Sequence, residues 1–291
     1  MRTIPSSELI INGDGSIFHL HLKPEQLADV VILVGDPGRV ALIADYFDSK
    51  ECEVANREFL TVTGTYKGKR MTVMSTGIGI GNIDICVTEL DALANIDFET
   101  RQVKPEFKKL TLVRLGTSGA IQEDIEVGEV IFSRTSLGFD GLVSYYAGRD
   151  GVCDLDLERA FVEHTAWYEK LPAPYFVDAD KALYELFKES TREGITIAAP
   201  GFYAPQGRWV RLQPHDLDLN KKIESFQYHG RRITNFEMEG SALAGLAALM
   251  GHSAATICTI IAQRVAKDAC TDYKPFVRRM IEMALDKLAT L

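Results

Sequence analysis

Two arginines in this sequence stand beside apolar runs and glycine-containing turns. Arg39 lies in ILVGDPGRV, and Arg114 begins RLGTSGA. Glycine lets the backbone approach a ligand closely, and the free amides at the start of a helix favour anions. An arginine at the end of a buried strand is costly unless it meets an anion. The two runs therefore predict a site for a small anion, with Gly35 and Thr117 beside the arginines.

Each arginine also has a purely structural interpretation. Arg39 could be a solvated side chain beside a tight strand–helix turn, because a short motif carries a high false-positive risk. Arg114 could form a buried ion pair with a carboxylate. The hydroxyls of Thr117 and Ser118 favour the anion site at Arg114, because both can donate hydrogen bonds to the same ligand.

A third glycine-rich run, STGIGIGN, starts at Ser75 and stands between an apolar run and a helical pattern. Its GxGxG spacing superficially resembles a dinucleotide-binding fingerprint but lacks the GxxG step that fits the helix against the sheet. The run therefore predicts a close backbone approach to a ligand other than a dinucleotide.

Two carboxylates stand near a predicted helix start in NFEMEGS. Glu237 could simply interact with the helix dipole. Glu239 precedes small residues that would leave space for a ligand, and a carboxylate can accept hydrogen bonds from the paired hydroxyls of a sugar. Glu239 is therefore the better candidate for ligand binding, with Met238 beside it.

The elements that must position these residues alternate between short apolar runs and helical patterns. Strands are predicted at Val30–Val34, Met71–Met74, Leu110–Leu115, Glu129–Phe132, Thr196–Ala199 and Ala255–Ile261. Helices are predicted at Arg39–Tyr46, Asn82–Ala94, Lys181–Arg192, Glu237–Met250 and Tyr273–Leu288. Such alternation is typical of an α/β fold with a largely parallel sheet, whose ligands bind beyond the carboxyl ends of the strands. Polar stretches at Asp97–Lys109 and Gly138–Asp156 indicate a surface insertion and a loop.

The composition is that of an ordinary globular protein, and its charge excludes one class of partner. The 291 residues are 46% hydrophobic and 25% charged, with a formal net charge of −9. Because affinity for nucleic acid comes from clustered cations, this balance argues against a general polyanion binder. The five cysteines are dispersed, and no apolar run reaches the roughly 20 residues that span a bilayer. We expect a cytoplasmic protein with no membrane partner, since no secretion signal is evident.

The ordered motifs GDPGR, STGIG, RLGTSGA and FEMEG resemble the signature set of the nucleoside phosphorylase superfamily, which includes uridine phosphorylases. The resemblance extends from Phe18 to about Arg264. It implies a single-domain, three-layer α/β/α fold with a central mixed, largely parallel sheet, covering residues 1–291. Compared with compact bacterial uridine phosphorylases, the chain carries an N-terminal extension at about 1–17 and the insertion near 97–109. Either could alter how dimers assemble further.

The resemblance assigns most of the candidate residues to one reaction site. Related hydrolases lack the arginine pair, so phosphate rather than water is the expected nucleophile. The residues expected to bind phosphate are Gly35, Arg39, Arg57, Arg114 and Thr117. The residues expected to bind ribose are His19, Thr117, Met238 and Glu239.

A fifth motif, GFYAPQGR, is similar to the uracil-binding loop of uridine phosphorylases. The amide of Gln206 can read the N3–H and a neighbouring carbonyl of a pyrimidine together. Arg208 can stabilise charge on a carbonyl as uracil departs, and Phe202 can pack against sugar or base. The alternative is a surface loop with incidental polar residues. The expected base-binding residues are Phe202, Gln206, Arg208 and Arg264, and the expected catalytic residues are Arg208, Gln206 and Arg114.

The run IIAQR bears on the choice of base. Purine-specific relatives place an aspartate, which protonates the purine ring, where Gln263 falls, and a glutamine cannot be that general acid. The alignment is local, and Lys267 and Asp268 stand nearby, so the assignment stays open. Arg264 is expected to brace Gln206 and the uracil carbonyl.

Two further residues match positions that act across a subunit interface in the family. The resemblance implies that His19 binds the ribose 5′-hydroxyl, and Arg57 a phosphate oxygen, in the neighbouring subunit's site. Without the family, a surface strand with alternate histidines at His19 and His21 would be preferred. A homodimer is therefore the expected minimal active unit, and a hexamer stays open. Glu58 and Ser75 resemble an intersubunit potassium site of some bacterial relatives; no other cofactor or metal is expected.

The resemblance thus implies a uridine phosphorylase that converts uridine and its co-substrate phosphate to uracil and ribose 1-phosphate in pyrimidine salvage. The alternatives among enzymes are a purine nucleoside phosphorylase and a nucleosidase. The alternative from another class is a nucleoside-binding protein that has kept the pocket but lost turnover. Both arginines and Glu239 argue against that last alternative.

Overall fold

The computed structural model describes residues 2–263 and 272–291 and, of residues 268 and 269, the backbone. Its strands are β1 (Val30–Val34), β2 (Ser49–Asn56), β3 (Phe59–Tyr66), β4 (Lys69–Ser75), β5 (Ile96–Asp97), β6 (Gln102–Val103), β7 (Thr111–Ala120), β8 (Val130–Gly138), β9 (Tyr175–Asp178), β10 (Arg192–Ala198), β11 (Gln227–Tyr228), β12 (Arg231–Glu237), β13 (Ser253–Gln263) and β14 (Asp268–Ala269). Its helices are α1 (Pro37–Ala44), α2 (Ile80–Asn95), α3 (Leu155–Thr165), α4 (Lys181–Phe187), α5 (Leu219–Ser225), α6 (Gly240–Met250) and α7 (Lys274–Leu288).

Most of the described strands belong to one mixed sheet, in the order β11-β12-β10-β8-β13-β7-β1-β4-β3-β2. The pairs β1–β4, β1–β7, β7–β13, β8–β10 and β10–β12 are parallel. The β13–β8 pair and the outer β2–β3–β4 pairs are antiparallel. Strand β12 also pairs with β7 through Phe236 and Gly119, so β7, β13, β8, β10 and β12 close into a ring.

Helices cover both faces of the sheet, which gives the three-layer α/β/α arrangement expected from the sequence. Helices α2 and α6 pack on one face, and α1, α4 and α7 pack on the other. In β1, Val31 and Leu33 face the first layer, whereas Val30, Ile32 and Val34 face the second. Because both faces are covered, the strand is apolar at every position. Within 2–263 and 272–291, no helix has the length and apolar character to cross a membrane.

Some predicted helix bounds are wrong, and several elements were not predicted. The helix predicted at Lys181–Arg192 ends at Phe187, because Thr191 is extended and Arg192 already belongs to β10. The sequence pattern also missed β2, β3, β9, β12, α3 and α5. Strand β2 shows the reason: it lies at the edge of the sheet and is largely exposed, so it has no apolar run.

The segments predicted as an N-terminal extension and as an insertion pack against each other. Arg101 of the insertion donates hydrogen bonds to the main-chain oxygens of Ile4 (2.8 Å), Pro5 (3.2 Å) and Leu9. The carbonyl of Arg101 accepts a hydrogen bond from the Ile4 N–H at 2.8 Å. Leu9 and Ile17 are buried in the same core as α2. The two additions therefore form one structural unit on the α2 side of the sheet.

Candidate active site

One cavity of about 880 Å³ opens beyond the carboxyl ends of β1, β4 and β12 and beside the end of β7. Ligands of α/β sheets bind at this edge, because the loops that follow the strands converge there. The predicted site residues that line the cavity are Gly35, Arg39, Arg114, Thr117, Phe202, Gln206, Arg208, Met238 and Glu239. The fold thus brings residues of four separate motifs to one place.

Arg39 reaches the cavity from α1, which follows β1, whereas Arg114 reaches it from within β7, because the strand predicted at Leu110–Leu115 continues to Ala120. Arg39 lies in the first turn of α1, whose start is capped by the Asp36 side chain accepting from the Gly38 N–H at 2.9 Å. Nη1 of Arg39 donates to the carbonyl of Leu115, 3.1 Å away, in the strand that carries Arg114. Burial, and then the positive charge of Arg114, lower the pKa of Arg39. An anion would relieve this repulsion between the two cations.

Two carboxylates hold the buried guanidinium of Arg114. Nη2 of Arg114 donates to Glu239 Oε2, and Nη1 lies 3.1 Å from Glu237 Oε2. Burial opposes the charge of Arg114, but the two carboxylates outweigh burial and raise its pKa above the ordinary value. The ion-pair interpretation of Arg114 is therefore confirmed, and the same side chain also lines the cavity, where its role in anion binding stays a prediction.

The position of the Arg114 side chain requires a glycine at position 116. A Cβ on Gly116 would lie 2.1 Å from Arg114 Nη1 and 2.9 Å from Cys258 Sγ. Cys258 Sγ itself accepts from Arg114 Nη1 at 3.5 Å. Burial raises the pKa of the Cys258 thiol to about 12, so the thiol is neutral at pH 7. The motif RLGTSGA thus uses its first glycine to leave room for the guanidinium.

Glu239 connects Arg114 to the glycine-rich run after β4. Its Oε1 accepts a hydrogen bond from the Gly79 N–H at 2.6 Å, while its Oε2 accepts from Arg114. Gly79 is the N-cap of α2 and has a φ of +103°, which glycine adopts without strain. An amide at a helix start stabilises a carboxylate. The close backbone approach predicted for this run is therefore made to a protein carboxylate at the cavity wall.

Glu237 does more than interact with a helix dipole. Its carboxylate accepts hydrogen bonds from the N–H groups of Glu239 (2.9 Å) and Gly240 (2.8 Å) and also contacts Arg114. The helix predicted from Glu237 begins only at Gly240, because Glu237 is the last residue of β12. Burial raises the pKa of Glu237 despite the contact with Arg114. Sequence reasoning missed this contact because it joins strands that are far apart in the chain.

Gln206 and Arg208 form a pair in another part of the cavity wall. Nη1 of Arg208 donates to Gln206 Oε1 at 2.6 Å and to the Phe202 carbonyl at 2.5 Å. The guanidinium carbon lies 3.6 Å from the centre of the Phe202 ring, a cation–π contact. Burial lowers the pKa of Arg208. The loop therefore presents an amide, a guanidinium and an aromatic ring, which suit a flat ligand with polar edges.

Residues 29–290 match the model of the phosphorylase superfamily. The chain belongs to this superfamily. A uridine phosphorylase of Thermococcus kodakarensis is 31% identical over 271 residues, which cover 90% of this chain and 83% of that relative. A DeoD-type purine nucleoside phosphorylase of Brevibacillus brevis is 30% identical, with coverage of 92% and 97%. The crystal structure of a Trypanosoma brucei nucleoside phosphorylase, described as showing uridine phosphorylase activity, matches with a TM-score of 0.88 and 30% identity, covering 97% of this chain and 100% of that chain.

In this member of the phosphorylase superfamily, Gln263 is not among the residues that line the cavity. Ile261 and Ala262 line the cavity at the end of β13, and the pairing of β13 with β7 skips Ile261. Such a bulge changes the alternation of side chains between the two faces. Nε2 of Gln263 donates to the Gln122 carbonyl at 2.7 Å. Outside the described residues lie Arg264, Lys267 and the side chain of Asp268.

Thr117 and Ser118 both line the phosphorylase-superfamily cavity, but their hydroxyls have different surroundings. Ser118 Oγ accepts a hydrogen bond from Asn235 Nδ2, 2.8 Å away. Oδ1 of Asn235 in turn accepts from the Thr196 hydroxyl at 2.8 Å. Ser118 therefore belongs to a buried network between strands, and Thr117 is the better candidate of the two for contact with an anion.

His19 and Arg57 lie together, outside the residues that line the cavity of their own subunit. Nδ1 of His19 is 2.6 Å from Glu89 Oε1, and the His19 N–H donates to the same carboxylate at 3.1 Å. Phe18 connects the two: its ring centre lies 4.7 Å from that of His19 and 5.6 Å from the Arg57 guanidinium carbon. The exposed Arg57 stands at the β2–β3 turn. Through Phe18, the side chains of His19 and Arg57 therefore lie side by side on one surface of the subunit.

Glu58 and Ser75 make different side-chain contacts within one subunit of this superfamily member. Ser75 Oγ donates to the main-chain carbonyl of Glu58 at 2.6 Å and accepts from the Leu60 N–H at 2.8 Å. The hydroxyl therefore stabilises the β2–β3 turn, while Glu58 lines the cavity. In the part of the chain that the structure describes, no group of three His, Cys, Asp or Glu side chains could hold a metal.

A second cavity of about 330 Å³ lies near the amino ends of β10 and β12. Its arginines are Arg134, Arg192, Arg231 and Arg232. Asp124 contacts both Arg192 and Arg232, and Arg231 lies 3.0 Å from Asp154. Carboxylates thus largely match the cations here, and we assign this cavity no ligand.

Proposed function

We propose that this chain is a uridine phosphorylase, which cleaves uridine with inorganic phosphate and releases uracil and ribose 1-phosphate for pyrimidine salvage. The observation that carries the proposal is that Arg39 and Arg114 line one cavity together with Glu239 and the Gln206–Arg208 pair. The two cations suit phosphate, the carboxylate suits ribose hydroxyls, and the amide–guanidinium pair suits pyrimidine carbonyls. The similarity to the Thermococcus kodakarensis and Trypanosoma brucei proteins supports the same choice.

The anion end of the cavity positions the nucleophile. Arg39, Arg114 and Thr117, with the backbone at Gly35, bind phosphate beneath the anomeric carbon of the nucleoside. Arg57 of a neighbouring subunit contributes a further donor. Phosphate is already an oxyanion, so the protein needs to orient it rather than to deprotonate it. Related enzymes that use water as the nucleophile do not need such a pair of arginines.

The ribose lies between the two ends of the cavity. Glu239 and Met238 bind it, and His19 of a neighbouring subunit closes over its 5′ end. The Glu239 carboxylate is held by Gly79 and Arg114, so its orientation is fixed before ribose binds. Cleavage passes through an oxocarbenium-like state, in which the negative phosphate stabilises the cationic sugar.

The base end stabilises the leaving group. As the glycosidic bond breaks, negative charge develops on the uracil carbonyls, and Arg208 and Gln206 stabilise this charge. The Phe202 ring keeps the Arg208 guanidinium in place, since the two are stacked. Arg264 braces Gln206 and the uracil carbonyl. Catalysis is therefore orientation and electrostatics, without a covalent enzyme intermediate.

A purine nucleoside phosphorylase is the second candidate, because the Brevibacillus brevis relative is nearly as similar to this chain as the Thermococcus kodakarensis relative. The apolar side chains of Ile261 and Ala262 at the end of β13 favour uridine, because neither can protonate a purine ring nitrogen. A pyrimidine leaving group needs no such proton if its carbonyls meet Arg208.

An assay with uridine, inosine and adenosine, each with and without phosphate, tests the proposal. We expect cleavage of uridine that depends on phosphate and yields ribose 1-phosphate. Preference for inosine or adenosine would identify a purine nucleoside phosphorylase, and cleavage without phosphate a nucleosidase. Uridine binding without any product would identify a nucleoside-binding protein.

We further propose that residues 1–291 form a single catalytic domain, with an N-terminal extension at about 1–17, and that the enzyme acts in the cytoplasm as a homodimer or a larger assembly of dimers. The argument for the dimer is that His19 and Arg57 lie outside the cavity of their own subunit. Sedimentation analysis at the protein concentrations of the assay tests it. Full activity in a monomeric preparation would contradict the proposal.

A further inference from the structure

Three charged side chains meet at the inner end of the cavity. Arg114, Glu237 and Glu239 are only 5%, 4% and 3% exposed, and one guanidinium contacts both carboxylates. One positive and two negative charges leave this buried group with a net charge of −1. Buried charges are stable only when they are matched, so the group depends on a further cation or on a proton.

The other elements around Glu237 bring one further cation. Arg39 of α1 lies close enough to Arg114 for their charges to interact. From β13, the Cys258 thiol faces Arg114 and Glu237, and burial raises its pKa to about 12, so it stays uncharged. With Arg39 included, the two arginines and two glutamates sum to zero. A phosphate dianion bound between the arginines would then bring two uncompensated negative charges into a poorly solvated site.

Of the two glutamates, Glu237 is the one whose negative charge is less strongly held. Glu239 has the closer contact with Arg114 and also accepts from the Gly79 N–H at the start of α2. Glu237 lies 3.1 Å from Arg114, and its other bonds come from main-chain N–H groups, from which a neutral carboxyl can also accept. Burial raises the pKa of Glu237, which agrees with this comparison.

We propose that anion binding at the phosphate site is coupled to the uptake of one proton by Glu237. The proton comes from solvent and ends on the carboxylate oxygen that faces Arg114, and no bond to the substrate is made or broken. Glu237 is therefore a positioning residue: its protonation frees part of the positive charge of Arg114 for the phosphate. The inference rests on the proposed function, because it takes the Arg39–Arg114 cavity as the phosphate site.

Titration calorimetry on the wild-type protein tests the coupling. Inorganic sulfate is the decisive probe, because it keeps both negative charges near neutral pH, so any proton taken up must go to the protein. The binding enthalpy is measured near pH 7 in three buffers that differ in ionisation enthalpy. The slope of the binding enthalpy against the ionisation enthalpy of the buffer gives the number of protons taken up. We expect a net uptake of between zero and one proton per site, and an uptake that diminishes at acidic pH. A slope of zero for bound sulfate would overturn the proposal.

Two variants identify the group that takes up the proton. In Glu237→Gln the uptake should be lost, whereas Asp140→Asn should keep it. Asp140 is a suitable control because burial raises its pKa too, but it bonds Tyr175 and Ser241 outside the cavity. Uptake that persists in folded Glu237→Gln would assign the proton to another group and overturn the proposal. If that variant does not fold, the wild-type slope alone decides.

Inorganic phosphate provides the second arm and separates this proposal from the proposed function. If the wild type binds phosphate but not sulfate, proton uptake on phosphate binding is measured for the wild type and for Glu237→Gln. The difference between the two proteins then tests the coupling. Phosphate binding without such a difference would overturn only the coupling. The absence of any phosphate binding, with or without uridine, would overturn the phosphorylase proposal and the coupling together.

Discussion

The main-chain N–H of Gly79 and the carboxylate of Glu239 are joined by a 2.6 Å hydrogen bond across 160 residues of sequence. Gly79 begins α2, and Glu239 immediately precedes α6, so the two helices of one layer start at the same point. The positive ends of both helix dipoles therefore meet at the proposed ribose-binding carboxylate. Loss of this hydrogen bond would disturb the fold and the site together.

Removal of Arg208 should impair catalysis more than folding. If its guanidinium stabilises departing uracil, Arg208→Ala should lose about 10²-fold or more in turnover with uridine, since one placed donor of this kind is worth roughly 3–4 kcal/mol in the transition state. Steady-state kinetics at saturating phosphate measure the effect. Arg211→Ala is the matched control, because Arg211 is an exposed arginine that does not line the cavity. Near-normal turnover by Arg208→Ala would refute the assigned role.

The two arginines of the proposed phosphate site should differ in what their loss does to stability. Arg114→Ala leaves Glu237 and Glu239 buried without their cation, which typically costs about 3–5 kcal/mol in the free energy of unfolding. Arg39 has no such carboxylate contact among its described hydrogen bonds and ion pairs, so Arg39→Ala should lose less stability than Arg114→Ala in urea unfolding. Its KM for phosphate should instead rise about 10- to 100-fold, as expected for loss of a charged hydrogen bond. Equal stabilities of the two variants would contradict this account.

A single methyl group at position 116 should displace Arg114. In Gly116→Ala the new Cβ would lie 2.1 Å from Arg114 Nη1 and 2.9 Å from Cys258 Sγ, so the guanidinium must move away from its carboxylates. We expect a loss of at least 1–3 kcal/mol in the free energy of unfolding, as is typical of overpacking, together with weaker phosphate binding. Gly13→Ala serves as the control, because its Cβ would have no atom within 4 Å. Similar stability of the two variants would show that the space around Arg114 is not limiting.

The stability of the wild type relative to Glu237→Gln should fall as pH rises. Burial raises the pKa of Glu237, so the folded protein holds this proton more tightly than the unfolded chain does. The resulting stabilisation is fully present below the ordinary pKa of glutamate, about 4.3, and is lost as pH rises through the raised folded-state pKa. Urea unfolding of both proteins between about pH 5 and about pH 8 measures the difference. A difference that does not change with pH would contradict the raised pKa.

The meeting of Arg39 and Arg114 in one cavity could be predicted from the sequence, because each stands at the end of an apolar run. Neighbouring parallel strands end at one edge of a sheet, and β1 and β7 are such neighbours, with Leu33 opposite Arg114. The contact between Glu237 and Arg114 could not be predicted in the same way. It depends on β12 reaching β7 through Phe236 and Gly119, a pairing between distant segments that no local pattern specifies.

The contacts of Gln263 show a second limit of the sequence pattern. An alternating pattern assumes that every residue of a strand takes part in the pairing, and Ile261 does not. The extra residue brings Ile261 and Ala262 to the cavity, while the Gln263 amide bonds the Gln122 carbonyl. Sequence patterns carry the periodicity of a strand but not its interruptions.

The pairing of Phe236 with Gly119 attaches the strand that ends at Glu237 to the strand that carries Arg114. Gln206 and Arg208 are not part of this β12–β7 pairing, because they lie on the loop that follows β10. Substitutions in this loop can therefore alter these two proposed base-binding residues without touching the strand pairing that holds Glu237 against Arg114.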